Sequence, residues 1–101
     1  MRISKALIVL LSISMLLCIN VALGSSTVDV YVSLVEGNPV PGAAVYIDNE
    51  FVGNTWQDGL LRDAPVSPGE HIVRVEGQGR IGTKSFNVQY DSREYVIIIL
   101  S

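Results

Sequence analysis

The chain has 101 residues, of which 49% are hydrophobic and 17% charged, and its formal net charge is −3. Without residues 1–24, which are largely apolar, five basic residues remain against ten acidic ones, a net charge of −5. A domain this acidic, with its basic residues scattered singly, is poorly suited to a phosphate backbone or an anionic membrane surface, so nucleic acid is not an expected partner.

The first 24 residues have the pattern of an export signal. A basic start is followed by a mainly apolar run over residues 6–23, and Ala22-Leu23-Gly24 supplies the small residues that a signal peptidase accepts. We expect cleavage after Gly24, and the alternative is an uncleaved membrane anchor formed by residues 6–23. Both place the remaining chain outside the cytoplasm, because no Lys or Arg follows Lys5 until Arg62.

Cysteine usage bears on the compartment. Cys18 is the only cysteine and lies within the apolar run. Leu17 stands before it, where a lipoprotein signal has a small residue, so we interpret Cys18 as an apolar residue of the leader. The rest of the chain then has no disulfide or thiolate metal site. Because small secreted domains are often stapled by disulfides, this favours a prokaryotic envelope or secreted protein.

Alternation of apolar and polar residues predicts strands in most of the chain after the leader. The clearest alternating segments are residues 28–34, 43–48, 71–76 and 83–90. Asp48-Asn49 is expected to form a tight hairpin, with Asn49 in the left-handed region of backbone space. The alternation fades between residues 53 and 65, where we expect a short strand or an irregular crossing.

The last segment, residues 95–100, is apolar on both faces. Such a strand is either central and covered on both sides, or an edge strand that a partner covers. No segment after the leader has a helical period. The sequence therefore predicts one all-β domain over residues 25–101, a small antiparallel Greek-key β-sandwich of about seven short strands.

Several motifs are similar to those of two families. The chain resembles the PEGA domain of archaeal and bacterial surface proteins in five segments: Gly42-Ala43, Val45-Tyr46-Ile47-Asp48, Val52-Gly53-Asn54-Thr55, Pro68-Gly69-Glu70-His71 and Val73-Arg74-Val75. It also resembles the carboxypeptidase regulatory-like domain, in Asn38-Pro39-Val40-Pro41-Gly42-Ala43, Asp58-Gly59, Pro68-Gly69 and the closing hydrophobic strand. Both families are described as transthyretin-like, or prealbumin-like, sandwiches without catalytic residues, commonly appended to surface, secreted or transport proteins. The resemblance implies that fold and a non-catalytic role.

Residues typical of catalysis or metal binding are sparse. His71 is the only histidine, and the strand pattern places it on one face with Val73 and Val75, which favours a partly buried, locally hydrogen-bonded structural role. A secreted hydrolase on this fold would need several basic and histidine side chains at one site. Four acidic residues fit no calcium loop and are expected to shape turns: Asp48, Glu50, Asp58 and Asp63. We therefore expect no enzyme, no cofactor and no metal.

Four residues are candidates for an interaction surface: Trp56, Tyr31, Tyr46 and Ile98. Trp56 lies in a polar loop, where an indole can stack on a sugar, anchor a protein partner or close the end of the sandwich. Tyr31 and Tyr46 are expected to point outward and to form an aromatic patch if their strands pair. Ile98 represents the last strand, which is suited to edge pairing or to packing against a copy.

Two functions remain open. The first is a non-catalytic extracytoplasmic structural or interaction module, which contacts a protein partner or a second copy through an edge strand. The alternative is a small carbohydrate-binding module that stacks sugars on Trp56 and an exposed tyrosine. Membrane contact is expected only if the leader is retained.

Overall fold

A computed structural model describes residues 26–101. They contain seven strands and no helix: β1 (Thr27–Leu34), β2 (Ala44–Ile47), β3 (Glu50–Asn54), β4 (Leu60–Pro65), β5 (Gly69–Gly77), β6 (Arg80–Val88) and β7 (Arg93–Leu100). The predicted signal peptide, the alternative anchor and the interpretation of Cys18 all lie outside the described residues. Within residues 26–101, no helix is long and apolar enough to cross a membrane.

The strands form two sheets that pack face to face. The β1 sheet has the order β4-β1-β7, and the β2 sheet has the order β3-β2-β5-β6. All pairings are antiparallel except that of β1 with β7, which runs in parallel from Thr27 opposite Arg93 to Leu34 opposite Leu100. The predicted small β-sandwich with seven short strands is confirmed, and it contains one parallel pair that the sequence pattern did not indicate.

The core lies between the sheets and is rich in β-branched residues, which pack well on a pleated surface. Its members come from alternate positions of the strands and from the connections beside them: Val28, Val30, Val32, Val40, Ala43, Val45, Ile47, Leu61, Ala64, Val66, Val73, Val75, Val88, Val96, Ile98 and Leu100. Every strand except β3 supplies at least one of them. The predicted alternation on the first, second and fifth strands thus places their valines inward.

The hairpin between β2 and β3 has the predicted geometry. Asp48 and Asn49 have φ angles of 52° and 69°, which defines a tight turn whose two central residues are both left-handed. The less regular segment before residue 65 proves to be strand β4, whose pairing with β1 shifts register between Val28 and Val30. Asp63 lies at this irregularity with a φ of 58°. A bulge there explains why the alternation fades in the sequence.

A buried hydroxyl anchors the loop that enters β2. Thr55 is 5% exposed, and its Oγ1 donates to the Val40 carbonyl at 2.6 Å and accepts from the Ala43 amide at 2.9 Å. The Thr55 amide and carbonyl also bond to Ala43 and Gly42. The Thr55 hydroxyl therefore provides a hydrogen-bond partner for both the Ala43 amide and the Val40 carbonyl.

Strand β6 closes one side of the sandwich by lying close to β7. A Cβ atom built on Gly82 would lie 2.7 Å from Ile98 Cγ2 and 3.0 Å from Leu100 Cδ2, so the absence of a side chain permits this approach. The Arg80 guanidinium reaches the Leu100 carbonyl at 3.5 Å. One flank of β7 is thus lined by β6, although β7 ends the β1 sheet.

Candidate interaction surface

The two faces of β7 have opposite environments. Val96, Ile98 and Leu100 point into the core and are at most 4% exposed. The alternate residues Tyr95, Ile97 and Ile99 point outward and are 57%, 45% and 57% exposed. The strand lies at the edge of its sheet and its outer face is uncovered, so of the two alternatives left open for this segment the central strand is not the one observed.

Neighbouring strands extend this exposed surface across the β1 sheet. Tyr31 of β1 lies opposite Ile97 on one side and opposite Leu60 of β4 on the other. We call the resulting surface the apolar face: Tyr31, Leu60, Tyr95, Ile97 and Ile99. From their fractional exposure, these side chains present on the order of 400 Å² of apolar surface, within the range of the largest patches on ordinary monomers, which are often functional.

Charged residues at one end of the apolar face are paired with one another. The Arg93 guanidinium lies 3.2 Å from Asp29 Oδ2 and 2.5 Å from Asp63 Oδ1. Asp29 Oδ1 also accepts the Asp63 amide at 2.8 Å, which holds the bulge of β4 against β1. Because these charges are already paired with one another, they offer little attraction to a charged ligand.

Trp56 lies in the connection between β3 and β4, and its side chain is exposed (69% of the residue surface). Its amide donates to the Leu60 carbonyl and its carbonyl accepts from the Gly59 amide, both at 2.9 Å, so the backbone beneath the indole is fixed. Together with Gln57, Asp58 and Arg62 it lines an open groove of about 440 Å³. Trp56 is therefore exposed and does not close the end of the sandwich, the other position left open by the sequence.

Within this groove Asp58 and Arg62 form an exposed ion pair of 2.5 Å. The hydrogen bond from Arg62, followed by the one from the Leu60 amide, lowers the pKa of Asp58. The carboxylate is therefore charged at neutral pH and already bonded. The groove combines an exposed aromatic ring with polar groups.

The structure corrects one predicted surface residue, Ile98, and decides a conditional prediction for Tyr31 and Tyr46. Ile98 is 3% exposed because the pleat of β7 turns it into the core, so its neighbours Ile97 and Ile99 supply the exposed surface instead. Tyr31 and Tyr46 both lie outside the core but on different sheets, β1 and β2, whose strands do not pair. The condition under which these two rings would form a shared patch is therefore not met.

Tyr46 has local partners on the outer face of the β2 sheet. The Arg74 guanidinium lies 4.2 Å from the centroid of its ring, and Phe51 packs edge-on against it at 5.7 Å. Arg74 also pairs with Glu76. These contacts within the sheet leave Tyr46 half-buried and poorly placed for an external ligand.

His71 connects the end of the β2–β3 hairpin with the loop before β5. Its Nδ1 lies 2.5 Å from Asp48 Oδ2 and its Nε2 lies 2.7 Å from the Ser67 carbonyl. Both neighbours are acceptors, so a doubly protonated ring satisfies both bonds. Burial lowers the pKa of His71, but the hydrogen bonds to Asp48 and Ser67 and the Asp48 charge together raise it; the bond from His71 in turn lowers the pKa of Asp48.

Ser67, His71 and Asp48 have the residue types of a hydrolase triad. Ser67 Oγ lies 3.5 Å from His71 Nε2, but the Ser67 carbonyl lies closer, at 2.7 Å, and accepts the hydrogen bond of that nitrogen. An Nε2 that donates to this carbonyl already carries a proton and cannot accept the proton of a serine nucleophile. The geometry favours the structural role expected for His71. Among residues 26–101, no group of three or more His, Cys, Asp or Glu side chains is arranged to hold a metal ion.

Comparison with known proteins gives no family for this chain. A scan against protein-family models finds no match, and a search of curated proteins finds no relative. The resemblance to the PEGA and carboxypeptidase regulatory-like domains therefore stays a prediction.

Sequence reasoning missed Leu60, Tyr95, Ile97 and Ile99 as surface residues. The available signal was that both faces of residues 95–100 are apolar, which requires one face to lie outside the core if the strand is at an edge. The pattern does not state which of the two faces that is. The parallel pairing with β1, which brings Tyr31 beside Ile97, is a long-range contact with no local signal.

Proposed function

We propose that this chain is a non-catalytic, extracytoplasmic contact module whose binding surface is the apolar face. The observation that carries the proposal is the row of exposed Tyr95, Ile97 and Ile99 along an edge strand, continued by Tyr31 and Leu60. Exposed apolar surface of this extent is unfavourable in water and is stabilised by contact with another surface.

The arrangement of polar groups supports a role in contact and not in catalysis. His71 is held by two acceptors, and the charged groups beside the apolar face are paired with one another. Every buried side-chain nitrogen or oxygen of residues 26–101 has a hydrogen-bond partner. The described part of the chain therefore contains no buried polar side chain left unpaired and available for a substrate.

The extracytoplasmic placement rests on the leader pattern of residues 1–24. Expression of the full chain in an exporting bacterial host, followed by fractionation and N-terminal sequencing, tests it. We expect mature protein outside the cytoplasm that begins at Ser25. Full-length protein in the membrane would support the anchor instead, and full-length protein in the cytosol would contradict the placement.

The surface itself is tested by site-specific photo-crosslinking in exporting cells. A photoreactive residue replaces Ile99 on the apolar face or, as a control, Ile81, which is 64% exposed on edge strand β6 of the other sheet. We expect a discrete adduct from position 99 and none from position 81. No adduct from position 99, or equal adducts from both, would contradict the proposal.

A carbohydrate-binding function is the second candidate, because Trp56 is exposed on a fixed backbone beside Gln57, Asp58 and Arg62. A glycan array with wild-type protein and Trp56→Ala tests it. Binding that is lost in Trp56→Ala, at unchanged stability, would favour this function. No glycan bound by wild type would eliminate it and leave the contact module.

A further inference from the structure

We infer that the occupant of the apolar face is a second copy of the same chain, packed face to face through the β1 sheets. This inference rests on the proposed function, since it names the partner of the same surface. Of the two modes expected from the sequence, edge pairing and packing against a copy, it is the second, because β6 lines the flank of β7 and leaves the outer face of the sheet as the larger free surface.

The extent of the surface is the first reason. Stable interfaces bury about 800 Å² on each partner, and somewhat more than half of that area is apolar. The apolar face supplies on the order of 400 Å², from three residues that are 45–57% exposed and two that are half-buried. In a two-fold interface both copies use the same patch, so the two copies contribute equal apolar areas.

The shape of the surface is the second reason. The apolar face is one side of a pleated sheet, and two such sides pack at a spacing of about 10 Å with interdigitated side chains, as the inner faces of sandwiches do. Its side chains are large: two tyrosines, two isoleucines and a leucine. The hydroxyl of Tyr95, at the end of the face beside Asp29, can reach water while its ring is covered.

Charge argues against a strongly charged partner and determines how association between copies depends on salt. Arg93 is already bonded to Asp29 and Asp63 at one end of the face, so a strongly charged partner gains little there. The domain has a net charge of −5 after the predicted cleavage, so two copies repel at long range. Salt screens that repulsion, and association between copies is therefore expected to strengthen as ionic strength rises.

Sedimentation equilibrium of protein purified after expression of the full chain tests the inference. For wild type we expect a monomer–dimer equilibrium that shifts toward dimer between low and high NaCl. Ile99→Lys should weaken dimerisation by about tenfold or more, because the ammonium would be buried without a partner. Ile81→Lys carries the same change on an equally exposed edge-strand isoleucine and should leave the equilibrium unchanged.

Two further variants guard against a folding defect. Ile99→Thr keeps a β-branched side chain suited to a strand but removes apolar area, and should weaken the dimer less than Ile99→Lys. Ile99→Val should restore most of the association. A monomeric wild type at all salt concentrations, or a dimer weakened equally by Ile81→Lys, would overturn the inference.

The cross-linking experiment separates this inference from the proposed function. An adduct at position 99 with twice the mass of the chain supports both. An adduct of a different mass keeps the contact module but overturns the second copy as occupant. The absence of any adduct from position 99 contradicts both.

Discussion

The outer faces of the two sheets carry similar numbers of exposed apolar side chains but differ in how these are arranged. On the β2 sheet, Ile72 lies opposite Ser85 and Ile81 lies opposite Glu76, so each isoleucine has a polar neighbour across the strand. On the β1 sheet, Tyr95 and Ile99 also lie opposite polar residues of β1. There, however, three exposed apolar side chains follow one another at successive outward positions of β7, and Tyr31 lies between Leu60 and Ile97. Contiguity, and not apolar content, therefore distinguishes the proposed contact surface.

Aromatic residues show the same contrast. Tyr46 on the β2 sheet is covered by Arg74 and flanked by Phe51, so its ring has contact partners within the domain. Tyr95 on the β1 sheet is 57% exposed. Tyr46 is thus packed against side chains of its own sheet, whereas Tyr95 leaves more than half of its surface exposed.

The largest effect is expected where adjacent residues of β7 belong to opposite faces. Ile98→Lys places an ammonium in the core at a position that is 3% exposed, and should cost about 4 kcal/mol or more, enough to unfold a domain this small. Ile99→Lys lies on the 57% exposed side and should change the free energy of unfolding of the monomer by about 0.5 kcal/mol or less.

Urea unfolding followed by circular dichroism checks this pair. Equal destabilisation by the two substitutions would mean that the assignment of the two faces of β7 is wrong. The test is run at a concentration where the protein is monomeric, so that loss of association does not add to the difference.

The next effect concerns Thr55, which supports the loop at the start of the β2 sheet. Thr55→Val keeps the shape but leaves the Ala43 amide and the Val40 carbonyl without their side-chain partner, which should cost about 1–3 kcal/mol. Thr55→Ser keeps the hydroxyl and should recover most of that loss. Thermal unfolding measures both; a Thr55→Val variant as stable as wild type would show that the hydroxyl contributes nothing.

A smaller effect is expected from the pH dependence of His71. Its pKa is raised in the folded state, so its contribution to stability is complete below the unfolded value of about 6.5 and is lost as pH rises through the folded value. Loss of one of the two ring hydrogen bonds should cost about 1 kcal/mol. Asp48, whose pKa is lowered, contributes above the usual carboxyl range and loses its contribution as pH falls through its folded value.

Unfolding free energies measured in urea across this pH range, for wild type and for His71→Gln, isolate the effect. The decline of stability from slightly acidic to alkaline pH should be steeper in wild type than in the variant. Parallel profiles would contradict a doubly protonated His71 in the folded protein.

The smallest effect is expected on the outer face of the β2 sheet. Arg74→Ala removes the cation over Tyr46 and should cost about 0.5–1 kcal/mol at this partly exposed site. Arg74→Lys keeps the charge and should retain part of the contact. Arg74→Ala should also increase association through the β2-sheet face, since the ring of Tyr46 would be uncovered. An unchanged tendency to associate would argue against the covering role of Arg74.

Much of the fold was accessible from local patterns. The alternation in residues 28–34 and 71–76 predicts strands with inward valines, and Asp48-Asn49 predicts a hairpin, because both signals depend on neighbouring residues. The placement of Tyr31 and Tyr46 on different sheets depends on long-range pairing and could not be read in that way.

The candidate site was predicted only in part for the same physical reason. Exposure of Trp56 was left open by the sequence, and Ile98 was chosen from a strand whose two faces look equally apolar. The period of a strand states that Ile97 and Ile98 point in opposite directions, but not which of them points to the core. The role of Thr55 depends on atoms of residues 40–43 and has no motif of its own.

The most direct measurement is the accessibility of isoleucine methyl groups to a soluble paramagnetic agent, monitored by NMR on concentrated protein. Within one copy, Ile97 and Ile99 are 45% and 57% exposed, and Ile72 and Ile81 are 58% and 64% exposed. We predict that the methyls of Ile97 and Ile99 are clearly protected relative to those of Ile72 and Ile81. Equal relaxation of all four would contradict the claim that the apolar face is a contact surface.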